Sequence, residues 1–351
     1  MLPERVVLCA LLLPLLAGCR AVAPAAAPAA PVRVPPGASI TEANVRRQLG
    51  ALAHDSMEGR RTATAGERAA ARFIAAEMRA IGLEPAGDSG YIQRVGLMAL
   101  SGPNGAVRLR LGLPDSAGRL PSGEPRTAWN VLGVIRGTDA ELAGEVVVVG
   151  AHFDHVGIGR AEEGDSIYNG ADDDASGVVA TLGIAGALRD GPAPRRTVVF
   201  AAFTGEEVGL LGTRWYIARP PFPIERTVAN LQIEMIGRPD SLAGGRGRAW
   251  LTGYERSTMG DILKTSGSPI VPDPRPDQNF FMRSDNIAFA RLGIPAHTLS
   301  SFGLHGDYHR PTDEVELVDF AHLTAVIRAA ADMVRQLADG PRPEWHPGGR
   351  P

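Results

Sequence analysis

The sequence predicts an α/β fold, a sheet parallel at least in its centre with helices on both faces. Two observations carry that expectation. From residue 40 onward, stretches of strand-like and helix-like patterning alternate, and two of the strand-like stretches are continuous apolar runs, as in strands buried on both faces. Polar, chemistry-bearing residues then follow directly on such runs, at the strand ends where open α/β sheets bind ligands.

In chain order, the first amphipathic helix is expected over 66–81, where Ala69, Ala70, Phe73, Ile74, Met78 and Ile81 recur at three- and four-residue spacing. Residues 91–128 are dense in Gly, Pro and Ser and read as a peripheral hairpin and loop. Strands are expected over 128–135 and 145–151, the second containing the β-branched run Val146-Val147-Val148-Val149. A helix over 176–188, a buried strand over 196–204 and a helix over 207–217 follow. Further strands cover 228–235 and 296–300, and a long terminal helix covers 318–337. No internal repeat or linker-like break interrupts 40–340, which reads as one domain. The tail, 341–351, is Pro-rich and is expected to be loose.

The segment before this body has a different composition. An apolar run from Val6 to Leu16 is too short to span a bilayer and has the length of a signal-peptide core. It closes on Leu16-Ala17-Gly18-Cys19, which resembles the lipobox of bacterial lipoprotein signals. The resemblance implies that 1–18 is removed and that Cys19 is lipidated. Residues 19–39, mostly Ala and Pro, then form a semi-extended tether. Arg20 after the lipidated position favours the outer membrane of a Gram-negative cell, on its periplasmic or surface face. With Cys9 removed and Cys19 acylated, no disulfide is expected. A net charge of -3 over 351 residues gives no electrostatic case for nucleic acid, nor for a membrane partner beyond the anchor.

Four clusters sit at the expected strand ends, His152-Phe153-Asp154-His155, Asp172-Asp173-Asp174, Glu206-Glu207 and Glu234, and His305-Gly306-Asp307-Tyr308-His309 comes later. Taken singly, each has an ordinary explanation, since acidic residues cap helices and pair with cations. Converging at one sheet edge, Asp154, Asp173, Glu206, Glu207 and Glu234 would repel unless cations were present. Histidine and carboxylate without thiolate is a donor set suited to hydrolytic zinc.

These motifs resemble the co-catalytic di-zinc aminopeptidase family, which includes secreted bacterial leucyl-type aminopeptidases and is related to glutamate carboxypeptidases and glutaminyl cyclases. The matching segments are Ala151-His152-Phe153-Asp154-His155, residues 170–177, Gly205-Glu206-Glu207-Val208-Gly209-Leu210, Leu231-Gln232-Ile233-Glu234-Met235-Ile236-Gly237, and Asp307-Tyr308-His309-Arg310-Pro311-Thr312-Asp313. The resemblance implies a three-layer sandwich around a mixed, centrally parallel twisted sheet, the zinc exopeptidase type. It implies two zinc ions per chain, one held by His152, Asp173 and Glu234, the other by Glu207 and His309, with Asp173 bridging. The family usually has Asp where this chain has Glu234.

The same resemblance makes Asp154 the carboxylate that orients the His152 imidazole and Glu206 the general base. It makes Tyr308 a donor to the tetrahedral oxyanion, and it implies a cis peptide between Asp173 and Asp174. Asp172, Asp174, His155 and His305 are not expected to be ligands. The expected reaction is removal of the N-terminal residue from peptide substrates by a metal-bridging hydroxide. Glutaminyl cyclisation, or a non-catalytic binding module on the same scaffold, are the alternatives.

Overall fold

The computed structural model describes residues 40–102 and 106–351; the signal, Cys19 and the tether lie outside the described residues. The helices are α1 (Glu42–Leu52), α2 (Ala65–Ile81), α3 (Ser176–Asp190), α4 (Leu211–Ala218), α5 (Thr258–Ser266), α6 (Asn286–Ala290) and α7 (Phe320–Asp339). The strands are β1 (Glu84–Pro85), β2 (Ile92–Ser101), β3 (Val107–Leu111), β4 (Glu124–Ile135), β5 (Val146–His152), β6 (Gly157–Glu162), β7 (Asp165–Tyr168), β8 (Thr197–Phe203), β9 (Thr227–Ile233), β10 (Ala249–Leu251), β11 (Ile270–Pro272) and β12 (Ala296–Ser300).

The main sheet runs β11-β10-β12-β9-β5-β8-β4-β2-β3, with β1 on β4. Its centre is parallel, β5 pairing with both β8 and β9 and β9 with β12, while β4, β2 and β3 add antiparallel strands at one side. The sheet is therefore mixed and centrally parallel, as expected.

Every residue of β5, β8 and β9 is buried. Alternate side chains of β5 and β8 serve two separate cores. Val147, Val149, Val198 and Phe200 pack with residues of α1, α2, α3 and α7. Val146, Val148, Val199 and Phe203 pack with Tyr216 of α4 and with Ile287 and Phe289 of α6. Two covered faces make the three-layer sandwich and explain why these strands are continuous apolar runs.

Three expectations are corrected. The helix expected over 207–217 begins only at Leu211, because Gly209 and Leu210 take φ of 107° and 57° and form a turn. Residues 91–128 do form a hairpin, β2 with β3, and a loop, but they are not peripheral, since β2 pairs along β4 over eight registered positions and extends the main sheet. The tail is tied down. Trp345 donates from Nε1 to the Gly293 carbonyl and packs edge-on to Phe281, and its backbone bridges to Ser257.

Candidate metal centre

The carboxyl ends of β5, β8 and β9 place three of the predicted clusters side by side. His152 is the last residue of β5. Glu206 and Glu207 follow β8 in a turn closed by Gly209 and Leu210 N–H groups donating to the Glu206 carbonyl. Glu234 follows β9, its N–H donating to the Leu299 carbonyl of β12. Asp173 comes from the loop entering α3. That loop turns at Gly170, φ 55°, where a Cβ would meet the Asp173 carbonyl at 2.1 Å, so only glycine fits. The peptide between Asp173 and Asp174 is cis, as expected.

Asp173 lies at the centre of two groups of donor atoms. On one side its Oδ1 is 3.1 Å from His152 Nε2, with Glu234 Oε1 3.8 Å from the same nitrogen. On the other its Oδ2 is 3.1 Å from His309 Nε2, with Glu207 Oε1 3.2 Å from that nitrogen. In each group the candidate donor atoms lie within 4.8 Å of one another. His152 Nε2, His309 Nε2 and Asp173 Oδ1 are buried and close to partners, yet none makes an aligned hydrogen bond. Buried polar atoms left without hydrogen bonds are costly, and lone pairs that converge without a proton between them are what a cation satisfies. The five predicted ligands therefore fit two divalent ions sharing one carboxylate. Glu234 reaches its group in spite of the longer side chain.

The electrostatics have the same cause. Burial alone would raise the Asp173 carboxyl, but His155, His152 and His309 hold it well below the usual carboxylate range. Burial would lower His152, yet Asp173 and Glu234 push it well above the ordinary imidazole range. Burial pushes Glu206 well above the ordinary carboxyl range, with further repulsion from Glu234 and Asp285.

Asp154 is placed differently from expectation. His152 Nδ1 faces the Asp154 backbone carbonyl at 3.0 Å, whereas the carboxylate lies 3.8 Å away. The carboxylate instead accepts from the Thr62 hydroxyl and from the Glu206 N–H, so it fastens the turn carrying Glu206. Asp172 and Asp174 are occupied elsewhere, as expected. Asp172 accepts from Gly237 N–H and faces His305, and Asp174 accepts from Gly177 and Met235 N–H.

His155 does come to the centre, its Nδ1 2.9 Å from Glu207 Oε1, and so orients that carboxylate. Its position three residues after His152 was the available signal. Tyr308 stacks on His309, centroids 3.9 Å apart, and lines a cleft of about 240 Å³ with Asp173, Glu206, Glu207 and Glu234.

Two residues support the site from below: Arg60, which sequence reasoning missed, and Asp313, which it placed in a motif without a role. Arg60 is fully buried and donates to the carbonyls of Phe153, Leu52, Asn169 and Gly170. Asp313 accepts from the N–H groups of Asp172 and Asp173 and pairs with Arg238.

A three-layer α/β body with paired histidine–carboxylate clusters on one bridging aspartate defines the class of two-metal scaffolds. The model of peptidase family M28 matches residues 130–334, more than half of the chain, and the chain belongs to that family. Among curated proteins it is similar to leucine aminopeptidase 2 of Trichophyton rubrum, 28% identical over 283 residues, covering 72% of this chain and 54% of that protein. The chain thus spans about half the length of the curated relatives it matches. Among solved structures it is similar to a zinc aminopeptidase from Bacillus subtilis, with TM-score 0.62, 16% identity, and 86% of this chain and 96% of that one covered. It is also similar to Porphyromonas gingivalis glutaminyl cyclase, with TM-score 0.57, 16% identity, and 85% and 98% covered. At these identities the structural likeness concerns the fold.

Proposed function

We propose that this chain is a zinc-dependent exopeptidase that removes the N-terminal residue from peptides. The observation that carries the reading is the bridging carboxylate of Asp173 between two donor groups, with an uncommitted glutamate, Glu206, lining the same cleft. His152, Asp173 and Glu234 would hold one zinc ion and Asp173, Glu207 and His309 the other. Bound there, the ions supply Lewis acidity that polarises the scissile carbonyl and acidifies the attacking water.

The remaining work falls to side chains. Glu206 lies beside a ligand without being one, its backbone fixed by Asp154. Its carboxylate takes the proton of the attacking water and passes it to the departing amine, and a carboxyl group raised by burial suits that second step. Burial, with Asp173 and Glu207, raises the Tyr308 phenol far above its ordinary range, so it stays protonated and can donate to the developing oxyanion. Family membership and the leucine aminopeptidase relatives support the reaction class.

We further propose that residues 1–18 are a signal, that Cys19 carries lipid, and that 19–39 tether the enzyme to the outer membrane of a Gram-negative cell. The support is the Leu16-Ala17-Gly18-Cys19 sequence at the end of an apolar run.

The test of function is metal content together with substrate class. Protein purified without chelator is expected to hold about two zinc ions per chain, to release the aniline from leucine anilides, and to lose that activity on chelation. Full activity without metal overturns the reading. Cyclisation of a glutaminyl peptide with no anilide hydrolysis replaces it with the cyclase.

A further inference from the structure

The cleft beside the metal centre contains more than the proposed reaction uses. Beside the carboxylates, an aromatic wall runs through Trp250, Phe280, Phe302 and Tyr308. Trp250 stacks on Phe280 at 5.2 Å, Phe280 meets Phe302 edge-on at 6.0 Å, and Phe302 lies 5.3 Å from Tyr308. One charged side chain on this wall has no acceptor among the described residues. Arg283 is the single cation lining the cleft; it is exposed to solvent and forms no salt bridge with the described residues, although four carboxylates line the same space. Its guanidinium is held over the Phe280 ring, 5.0 Å from the centroid.

An unpaired guanidinium beside an aromatic face is poised for a planar anion. Resting on the aminopeptidase reading above, we propose that Arg283 recognises a carboxylate on the substrate and thereby sets specificity. The positively charged metal ions would offset the four carboxylates of the acidic side, which leaves Arg283 as uncompensated charge at the cleft. A carboxylate can reach it from two sources: the side chain of an acidic N-terminal residue, or the C-terminus of a dipeptide.

The experiment uses zinc-loaded enzyme and two matched substrate pairs that differ only in carboxylate against amide. Glu-Leu-amide is compared with Gln-Leu-amide, and Leu-Leu with Leu-Leu-amide, each read as cleavage of the peptide bond by chromatography. Ratios of kcat/KM are taken within each enzyme, so any general change in activity cancels. In the wild type one pair is expected to favour the carboxylate by about tenfold, the scale of one charge-assisted hydrogen bond.

The pair that shows the preference identifies the source. Arg283→Gln is expected to collapse the ratio to about one, and Arg283→Lys to retain part of it, because the charge survives and the planar fork does not. Melting temperatures of the variants separate misfolding from lost recognition. Cleavage of all four substrates with flat ratios in the wild type, or a ratio that persists in Arg283→Gln, overturns the proposal and leaves the aminopeptidase standing. No cleavage of any of the four overturns the aminopeptidase reading itself, and the proposal with it.

Discussion

Replacing Arg60 by methionine should destabilise the protein more than any change at the metal ligands. The guanidinium is fully buried in the turn before α2 and makes no ion pair. It donates from Nε to the Phe153 carbonyl at 2.8 Å, from Nη1 to Leu52 at 2.9 Å and to Asn169, and from Nη2 to Gly170 at 2.9 Å. Burial lowers its pKa, while the charges of Asp173, Asp313, Asp174 and Asp154 raise it, so its positive charge sits beneath the acidic centre.

A hydrogen bond from a charged donor contributes ~1.5–3 kcal/mol, and a buried carbonyl left without its donor costs ~1–3 kcal/mol. Methionine removes the desolvated charge, which returns part of that loss. The net cost is about 4 kcal/mol, at the upper edge of single substitutions. At ~2.1 cal/mol/K of unfolding entropy per residue, a body of this size loses roughly 1.5 °C per kcal/mol, so the melting temperature should fall by about 6 °C. Arg60→Lys keeps the charge but cannot span all four carbonyls, so its loss should be intermediate. Phe153 follows His152 directly and Gly170 opens the loop to Asp173, so zinc affinity, measured by competition with a chelator, should weaken in both variants. Arg60→Met melting within 2 °C of the wild type would refute the reasoning.

Three further outcomes are expected. Glu206→Gln should lower kcat by about 10²–10⁴-fold with zinc content unchanged, whereas Glu207→Gln should lose zinc as well; the opposite pattern would mean that base and ligand are exchanged. Glu67, in α2, is pushed up to about 8 by burial, against hydrogen bonds from Thr204, Trp129 and Ala63. A carboxyl raised in the folded state holds its proton there, so its contribution is fully present below the unfolded value near 4.5 and is lost as pH rises towards 8. Glu67→Gln should therefore gain stability relative to the wild type across that window, seen as a melting-temperature difference that rises with pH; a flat difference sinks the assignment. Cys19→Ser should release the enzyme from the membrane fraction with activity intact, and mass spectrometry finding no lipid on wild-type Cys19 would remove the anchor.

The parts of this molecule that were legible in its sequence share one physical property, dependence on neighbours close in the chain. β5, β8 and β9 were readable because a strand covered on both faces must be apolar at every position, and the metal centre because strand ends place acidic and imidazole groups in short runs. What escaped depends on contacts distant in sequence or on single backbone angles. Nothing in residues 207–210 announces that Leu210 takes a positive φ, so the helix seemed to begin early. Prolines in the tail masked Trp345, which docks against Phe281 and Gly293. Arg60 lies 93 residues before Phe153 and 110 before Gly170, and an isolated arginine between two helices carries no motif. Asp154 shows the subtler case. Its position two residues after His152 was read correctly as support for the centre, but the carboxylate supports Glu206 instead. Spacing along a strand end says which groups are near one another, whereas the direction of a hydrogen bond is decided by the turn they face, and that turn belongs to another strand. The residues that hold the site from outside its motifs, Arg60 and Thr62, are both tied to it by such distant contacts.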